Sequence, residues 1–166
     1  MEKARIRRAI YPGTFDPITN GHLDIVDRAL QVFDSLIVAV AQNSSKSTLF
    51  TAPERSALIN EVVGDRQNVT VEIFKGLLVD FAFKNKCCVI IRGIRAVSDF
   101  EYEFQMALMN RRLNQEIETV FMTPQEEYSF LSSGLVKEVC ALGGSLKGLV
   151  PDIVEKELIQ RLAQTR

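Results

Sequence analysis

The feature of this sequence that most constrains its fold is a regular alternation between short, β-branched apolar runs and longer stretches with helical periodicity. Five of the runs have the length of strands, and they cover residues 6–11, 35–41, 69–73, 87–92 and 118–122. Parallel strands need a crossover of about a helix's length between them, and the intervening stretches supply it. The pattern therefore predicts an α/β fold with a doubly wound, five-stranded parallel sheet and helices on both faces.

The helical stretches carry their own start and stop signals. In the first, Leu23, Val26 and Leu30 recur at spacings of three and four, so they share one face. Thr51 and Glu54 have the spacing of a capping box at the start of the second. Helices are predicted from Thr51 onward and at residues 21–33, 77–86, 98–113, 132–142 and 151–163.

Length and charge limit the number of domains and the classes of partner. A chain of 166 residues predicts one domain over residues 1–166, and an apolar share of 46% is enough for its core. The net charge of −1 gives no overall field for a nucleic acid, so none is expected as a partner. The N-terminal segment is basic, and we interpret it as a solvated segment that precedes the first strand, not as an arm that binds nucleic acid. Its basic residues are Lys3, Arg5, Arg7 and Arg8.

No membrane or disulfide framework is expected either. The longest apolar runs, at residues 36–41 and 87–91, are far too short to span a bilayer, and the N-terminus lacks the apolar region of a signal peptide. We therefore expect a cytoplasmic protein. Cys87, Cys88 and Cys140 are odd in number and form no C-x-x-C pair, so we predict reduced thiols that mostly fill the core.

Ligands of doubly wound sheets bind in strand-to-helix loops, and the first of these loops is distinctive. Residues 11–22 read Tyr-Pro-Gly-Thr-Phe-Asp-Pro-Ile-Thr-Asn-Gly-His. Gly13 and Gly21 permit close approach of the backbone, and His22, the single histidine of the chain, enters the first helical turn. Amide groups at a helix N-terminus and an imidazole donor suit a phosphate. The loop is neither a dinucleotide fingerprint nor a P-loop.

Three segments in order resemble one known family. They are residues 11–22, with Thr-Asn-Gly-His as a T-x-G-H motif, then Ile-Arg-Gly-Ile-Arg-Ala-Val-Ser-Asp-Phe-Glu-Tyr-Glu at 91–103, and Tyr-Ser-Phe-Leu-Ser-Ser-Gly-Leu-Val-Lys-Glu at 128–138. Within the T-x-G-H nucleotidyltransferases, the chain is similar to the bacterial phosphopantetheine adenylyltransferases. The resemblance implies transfer of AMP from ATP to 4′-phosphopantetheine, giving dephospho-coenzyme A and pyrophosphate, the penultimate step of coenzyme A synthesis. It also implies a Rossmann-like nucleotidyltransferase fold, Mg²⁺ and a homohexamer.

The resemblance implies roles for four catalytic residues. His22 would donate to the α-phosphoryl oxygens, Thr14 would orient the attacking phosphate and ATP, and Lys46 and Arg92 would hold the acceptor phosphate. Leu78 would line the pantetheine arm. From the residues alone, Lys46 also fits a solvated cation and Leu78 a helix core.

The resemblance also implies a set of ATP contacts. Glu103 and the Ser132–Ser133 pair have structural explanations as well, because acids favour the first turns of a helix and serines favour the N-cap. Gly134 stands where the family commonly has a third serine, which removes one hydroxyl. The implied ATP contacts are Thr14, Phe15, His22, Gly93, Ile94, Arg95, Glu103, Tyr128, Ser129, Phe130, Leu131, Ser132, Ser133 and Gly134.

The mechanism predicted is direct in-line attack without a protein nucleophile, because a phosphate monoester is already largely dianionic at neutral pH. Mg²⁺ would bridge the ATP phosphates, since the sequence contains no dedicated carboxylate cage for it. Two alternatives stay open. One is a sister transferase with another acceptor, such as nicotinate mononucleotide or a cytidylyl acceptor, and the other is a non-catalytic nucleotide sensor.

Overall fold

A computed structural model describes residues 7–42, 47–64 and 66–164. Within them five strands form one sheet in the order β3-β2-β1-β4-β5, and every neighbouring pair is parallel. The predicted doubly wound parallel sheet is confirmed. The strands are β1 (Arg8–Gly13), β2 (Ser35–Ala41), β3 (Val69–Phe74), β4 (Val89–Gly93) and β5 (Glu118–Met122).

Helices connect and follow these strands, with a short 3₁₀ helix at Glu126–Tyr128 that the sequence pattern did not predict. The second helix begins with the predicted capping box: the Thr51 hydroxyl accepts from the Glu54 N–H, and the Glu54 carboxylate accepts from the Thr51 N–H. The helices are α1 (Asn20–Val32), α2 (Ala52–Val63), α3 (Leu78–Lys84), α4 (Val97–Leu113), α5 (Ser133–Ala141) and α6 (Asp152–Gln164).

Three predicted elements have at least one boundary that is wrong by two or more residues. β1 continues beyond its predicted end because Pro12 and Gly13 still stand in register with β2. β4 begins at Val89, so both neighbouring cysteines precede it. α3 ends at Lys84 because Lys86 has a φ of +56°, which an α-helix cannot contain.

The sheet is buried on both faces, as parallel sheets require. Consecutive residues of β1 belong to different hydrophobic clusters: the cluster of Ala9 includes residues of α1, α2, α5 and α6, whereas that of Ile10 includes residues of α3. On the first face, Val26 and Ile59 are completely buried. β1 therefore runs through the centre of the molecule, and within the sheet β2 lies on one side of it and β4 on the other.

The remaining expectations concern cysteines, the N-terminus and membranes. Cys87 is buried and burial raises its pKa to about 11, but Cys88 is exposed, so the prediction of mostly core thiols is wrong there. Arg7 pairs with Asp34 at 3.1 Å, while Lys3 and Arg5 lie outside the described residues. Across the described ranges, every helix is too short or too polar to cross a bilayer.

Candidate active site

A cavity of about 310 Å³ opens at the carboxyl ends of β1 and β4. These neighbouring strands continue to helices on different sides of the sheet, so the cavity lies where the strand order reverses, as doubly wound folds predict. Most of the predicted site residues line it. The lining includes Thr14, Phe15, His22, Arg92, Gly93, Arg95, Glu103, Tyr128, Leu131, Ser132 and Ser133.

The imidazole of His22 is fixed by the first turn of α1. Thr19 is the N-cap, and its backbone N–H donates to His22 Nδ1 at 3.0 Å, while its hydroxyl accepts from the His22 N–H. This is a capping box in which histidine occupies the position usually held by Glu or Gln. Because Nδ1 accepts a main-chain hydrogen bond, the neutral ring carries its proton on Nε2. His22 therefore has one donor for a ligand in the cavity.

Two aromatic rings enclose the imidazole. The Phe15 ring lies edge-on to it with centroids 5.1 Å apart, and the Tyr11 ring is 6.5 Å away. Phe15 has a φ of +51°, a left-handed conformation that costs a non-glycine residue free energy. A Cβ atom at Gly13 would come within 2.7 Å of the Phe15 ring, so the loop needs glycine there.

Burial and nearby cations keep His22 uncharged. Burial, followed by the charges of Arg95 and Arg92, lowers the pKa of His22 to about 4. At neutral pH the residue is thus a hydrogen-bond donor and not a cation. Burial also raises the pKa of Tyr11 above the ordinary value of a phenol, so the hydroxyl stays protonated.

Arg92 ends β4 and pairs with Glu103 on α4. Nε donates to Glu103 Oε2 and Nη2 to Glu103 Oε1, each at 2.6 Å, and Nη1 donates to the Pro12 carbonyl at 2.9 Å. A guanidinium has five N–H groups, so three are used and two remain for a ligand. The resemblance to phosphopantetheine adenylyltransferases implies different ligands for these two residues, Arg92 for the acceptor and Glu103 for ATP, and the structure joins them in one bidentate ion pair.

Arg95 is held in a similar way. Its Nε donates to Asp99 at 3.1 Å and its Nη1 to the Leu131 carbonyl at 3.1 Å. The second bond ties the loop after β4 to the residue just before the N-cap of α5. Both arginines of the cavity are therefore paired with carboxylates and anchored to main-chain oxygens.

The N-terminus of α5 closes another side of the cavity. Ser132 is its N-cap, with a hydroxyl that accepts from the Leu135 N–H at 3.1 Å, and the Ser133 hydroxyl donates to the Pro17 carbonyl at 2.7 Å. The structural explanation of Ser132 is thus confirmed. The hydroxyl proton of Ser132 and the amides of the first turn are the groups that suit a phosphate here.

Comparison with known proteins agrees with this geometry. The family model described as cytidylyltransferase-like matches residues 10–139. A phosphopantetheine adenylyltransferase of Geotalea daltonii is 58% identical over 92% of this chain and 95% of that protein. One of Thermodesulfovibrio yellowstonii is 59% identical with the same coverage of both chains. This chain belongs to the phosphopantetheine adenylyltransferase family.

Solved structures extend the likeness at the level of the fold. Nicotinic acid mononucleotide adenylyltransferase of Plasmodium falciparum, complexed with NaAD, matches with a TM-score of 0.66 at 13% identity, over 97% of this chain and 96% of that one. A lipopolysaccharide core biosynthesis protein of Thermoplasma volcanium matches with a TM-score of 0.56 at 22% identity, over 74% of this chain and 100% of that one.

Some residues implied by the likeness to phosphopantetheine adenylyltransferases do not line the described cavity. Leu78 packs beside Phe74 and Phe81 against the hydrophobic cluster under α3. Lys46 lies outside the described residues. Their roles stay predictions, as do those of the four other residues that do not line the cavity, Ile94, Ser129, Phe130 and Gly134.

Other residues of this adenylyltransferase site were not singled out from the sequence. Thr19 orients His22 and Asp99 holds Arg95, while Tyr11 lies against the imidazole. A sequence signal existed for Thr19, because Thr19 and His22 have the spacing of a capping box. Asp99 follows Arg95 by four residues, a spacing typical of helical ion pairs.

The protonation of His22 can be measured directly, because it is the only histidine of the chain. We expect its ring signal in NMR to titrate with a midpoint well below 6.5, near the pKa of about 4. At pH values between these two pKa values, His22 of the unfolded chain binds a proton that His22 of the folded chain does not. Acidification through this pH range therefore lowers the free energy of unfolding.

Two further results test the lowered pKa of His22 and its cause. Replacing Arg95→Gln should move the midpoint upward but keep it below 6.5, since burial is the larger cause. A midpoint at or above 6.5 in the folded wild-type protein would contradict the neutral donor.

Proposed function

We propose that this protein transfers the adenylyl group of ATP to 4′-phosphopantetheine, giving dephospho-coenzyme A and pyrophosphate. The observation that carries the proposal is the cavity that holds a neutral His22 donor beside Arg92, whose guanidinium keeps two N–H groups for an anion. The relatives that share more than half of its residues bear the name of this activity. The function is that of a single nucleotidyltransferase domain.

The reaction is a direct displacement at phosphorus. An oxygen of the acceptor phosphate forms a bond to the α-phosphorus of ATP, and the bond from that phosphorus to the bridging oxygen breaks, so pyrophosphate leaves with the electron pair. The acceptor is largely dianionic at neutral pH, because its second pKa is about 6. No general base is needed, and the protein contributes position and charge stabilisation.

Each cavity residue then has a task that its geometry suits. His22 Nε2–H donates to the α-phosphoryl oxygens, where negative charge shifts in the transition state. Arg92 holds the acceptor phosphate together with Lys46, which lies outside the described residues, and Thr14 orients it toward ATP. The N-terminus of α5, with Ser132, receives ATP phosphates, and Arg95, which also lines the cavity, contacts ATP.

Magnesium enters this proposal as part of the substrate, Mg–ATP. Among the described residues there is no group of three or more His, Cys, Asp or Glu side chains that could hold a metal ion. Mg²⁺ usually keeps several waters and binds through substrate phosphates, so phosphate oxygens and water are suitable ligands. No step of the mechanism assigned to the protein's residues depends on a resident metal site.

An acceptor panel tests this function. Purified protein with Mg–ATP should release pyrophosphate rapidly with 4′-phosphopantetheine and very slowly with pantetheine. Pantetheine offers a neutral hydroxyl that needs a general base, and it leaves the phosphate-binding cations without an anion. Pyrophosphate release is followed by a coupled assay with ATP alone as the blank.

The other arms of the panel separate the alternatives. Faster turnover with nicotinate mononucleotide would favour a sister transferase. If the protein binds ATP but releases no pyrophosphate with any acceptor of the panel, the result would favour a nucleotide sensor. Equal rates with pantetheine and its phosphate would contradict direct phosphate attack.

Removal of the His22 donor tests the mechanism. We expect His22→Ala to lower kcat by about 10²- to 10³-fold, the usual cost of losing one preorganised donor to a transition-state oxygen. ATP binding, measured by calorimetry, should change much less. His22→Gln, which restores an N–H donor, serves as the comparison, and a near wild-type kcat in His22→Ala would remove the residue from the chemistry.

We further propose that the protein acts in the cytoplasm as a homohexamer. Support for self-association comes from α4, whose described side chains include many large apolar groups that are exposed in the single chain. Exposed apolar side chains gathered on one element often mark a surface that binds another protein. The exposed side chains are Phe100, Tyr102, Phe104, Met106, Leu108, Met109 and Leu113.

Light scattering at micromolar concentration tests the assembly. The wild-type protein should have a mass about six times that of one chain if it forms the proposed closed, symmetric hexamer. Leu108→Glu, which introduces a charge into the exposed face of α4, should lower that mass. A wild-type monomer would contradict the hexamer and leave the proposed reaction standing.

A further inference from the structure

Two buried charges of opposite sign lie just behind the cavity without lining it. The Asp16 residue is 4% exposed and Arg55 is 3% exposed. Burial of a charge costs free energy unless hydrogen bonds replace the lost water, so both residues need many partners. Those partners are almost all main-chain groups of segments that carry the proposed acceptor contacts.

Arg55 joins three segments through their carbonyl oxygens. Its Nε donates to the Phe50 carbonyl at 3.0 Å, and its Nη1 donates to the carbonyls of Ala41, at 3.1 Å, and Thr14. Ala41 ends β2, and Thr14 belongs to the loop after β1. One guanidinium therefore fixes the ends of both neighbouring strands relative to the start of α2.

Asp16 binds the same region from the opposite side. Its carboxylate accepts from the backbone N–H groups of Leu49 and Phe50, both at 2.9 Å, and from Lys137 Nζ at 2.7 Å. The N–H of Phe50 is thus held by Asp16 and its carbonyl by Arg55. The completely buried Phe50 ring anchors this point in the core.

Phe50 follows Lys46 by four residues in the sequence, so the hydrogen bonds to Phe50 fix the described chain that leads on from Lys46. Thr14, the other acceptor contact beside Arg92, is held directly by Arg55. We propose that Arg55 and Asp16 are positioning residues for the acceptor half of the site. They hold Thr14 and the chain that follows Lys46 in the geometry that receives the acceptor phosphate, a role that rests on the proposed function.

The guanidinium is needed for its shape as well as its charge. Its planar set of donors reaches carbonyls of three segments at once, which the single ammonium of lysine cannot do. In Arg55→Lys, the carbonyls of Thr14 and Phe50 compete for one nitrogen, and the loop after β1 loosens relative to Phe50. Loss of a hydrogen bond to a charged donor lowers affinity about tenfold or more when the partner must stay ordered.

The test compares Arg55→Lys with Arg66→Lys. Arg66 serves as the control because it too donates to main-chain carbonyls, those of Val62 and Val63 at the far end of α2, and it pairs with Asp27 away from the cavity. Arg55→Lys should raise the KM for 4′-phosphopantetheine about tenfold or more and change the KM for ATP by less than about threefold, because ATP keeps its proposed contacts with α5 and the loop after β4 when Thr14 shifts. Arg66→Lys should lower the melting temperature and leave both KM values unchanged.

Asp16→Asn provides a second variant of nearly the same shape, should Arg55→Lys not fold. It keeps one oxygen acceptor and loses the charge that pairs with Lys137, so the acceptor KM should again rise more than the ATP KM. A folded variant of either residue with an unchanged acceptor KM, or with equal rises for both substrates, would overturn the positioning role. If wild-type protein releases no pyrophosphate with 4′-phosphopantetheine, the proposed function fails, and calorimetric affinities for ATP and the acceptor still decide the positioning role.

Discussion

The ligand-binding end of this protein depends on the parallel pairing of β1 with β4. The two strands align through Ala9 with Val89 and Ile10 with Ile90, and both chains leave the sheet at the same edge. Since the chain returns from β1 through α1 to β2 and proceeds from β4 through α4 to β5, the two loops diverge and leave a crevice. One loop supplies His22 and the other supplies Arg92. Without this pairing His22 and Arg92 would not face one and the same ligand.

Within the crevice, structural and chemical roles fall on the same groups. The Thr19–His22 capping box starts α1, and the same hydrogen bond determines which imidazole nitrogen bears the proton. The Ser132 hydroxyl similarly caps α5 beside the cavity. Because His22 and Ser132 also complete helix termini, their orientation is set by the backbone before a ligand binds, which is the condition for electrostatic preorganisation.

Local features of this architecture could be predicted from the sequence, and long-range ones could not. The five strands and the capping box at Thr51 follow from periodicity and short spacings, and β2 and β5 have the predicted bounds. Periodicity gives no partner for a buried arginine, so the contacts of Arg55 with three separate segments were not foreseen. The pairing of Arg92 with Glu103 crosses from a strand to a helix, and a sequence pattern does not specify such a contact. The early end of α3 depends on one positive φ, at Lys86, for which lysine gives no signal.

The charges in the crevice largely compensate one another, and this compensation affects the rate at which anionic ligands reach the site. Arg92 and Arg95 each face a carboxylate, His22 is neutral, and the whole chain carries a net charge of −1. The described part of the crevice therefore projects little positive potential into the solvent, and long-range steering of anions is weak. Capture of a phosphate depends on hydrogen bonds formed after contact, at distances shorter than the Debye length. Encounter rates should accordingly vary little with ionic strength, even though both substrates are highly charged.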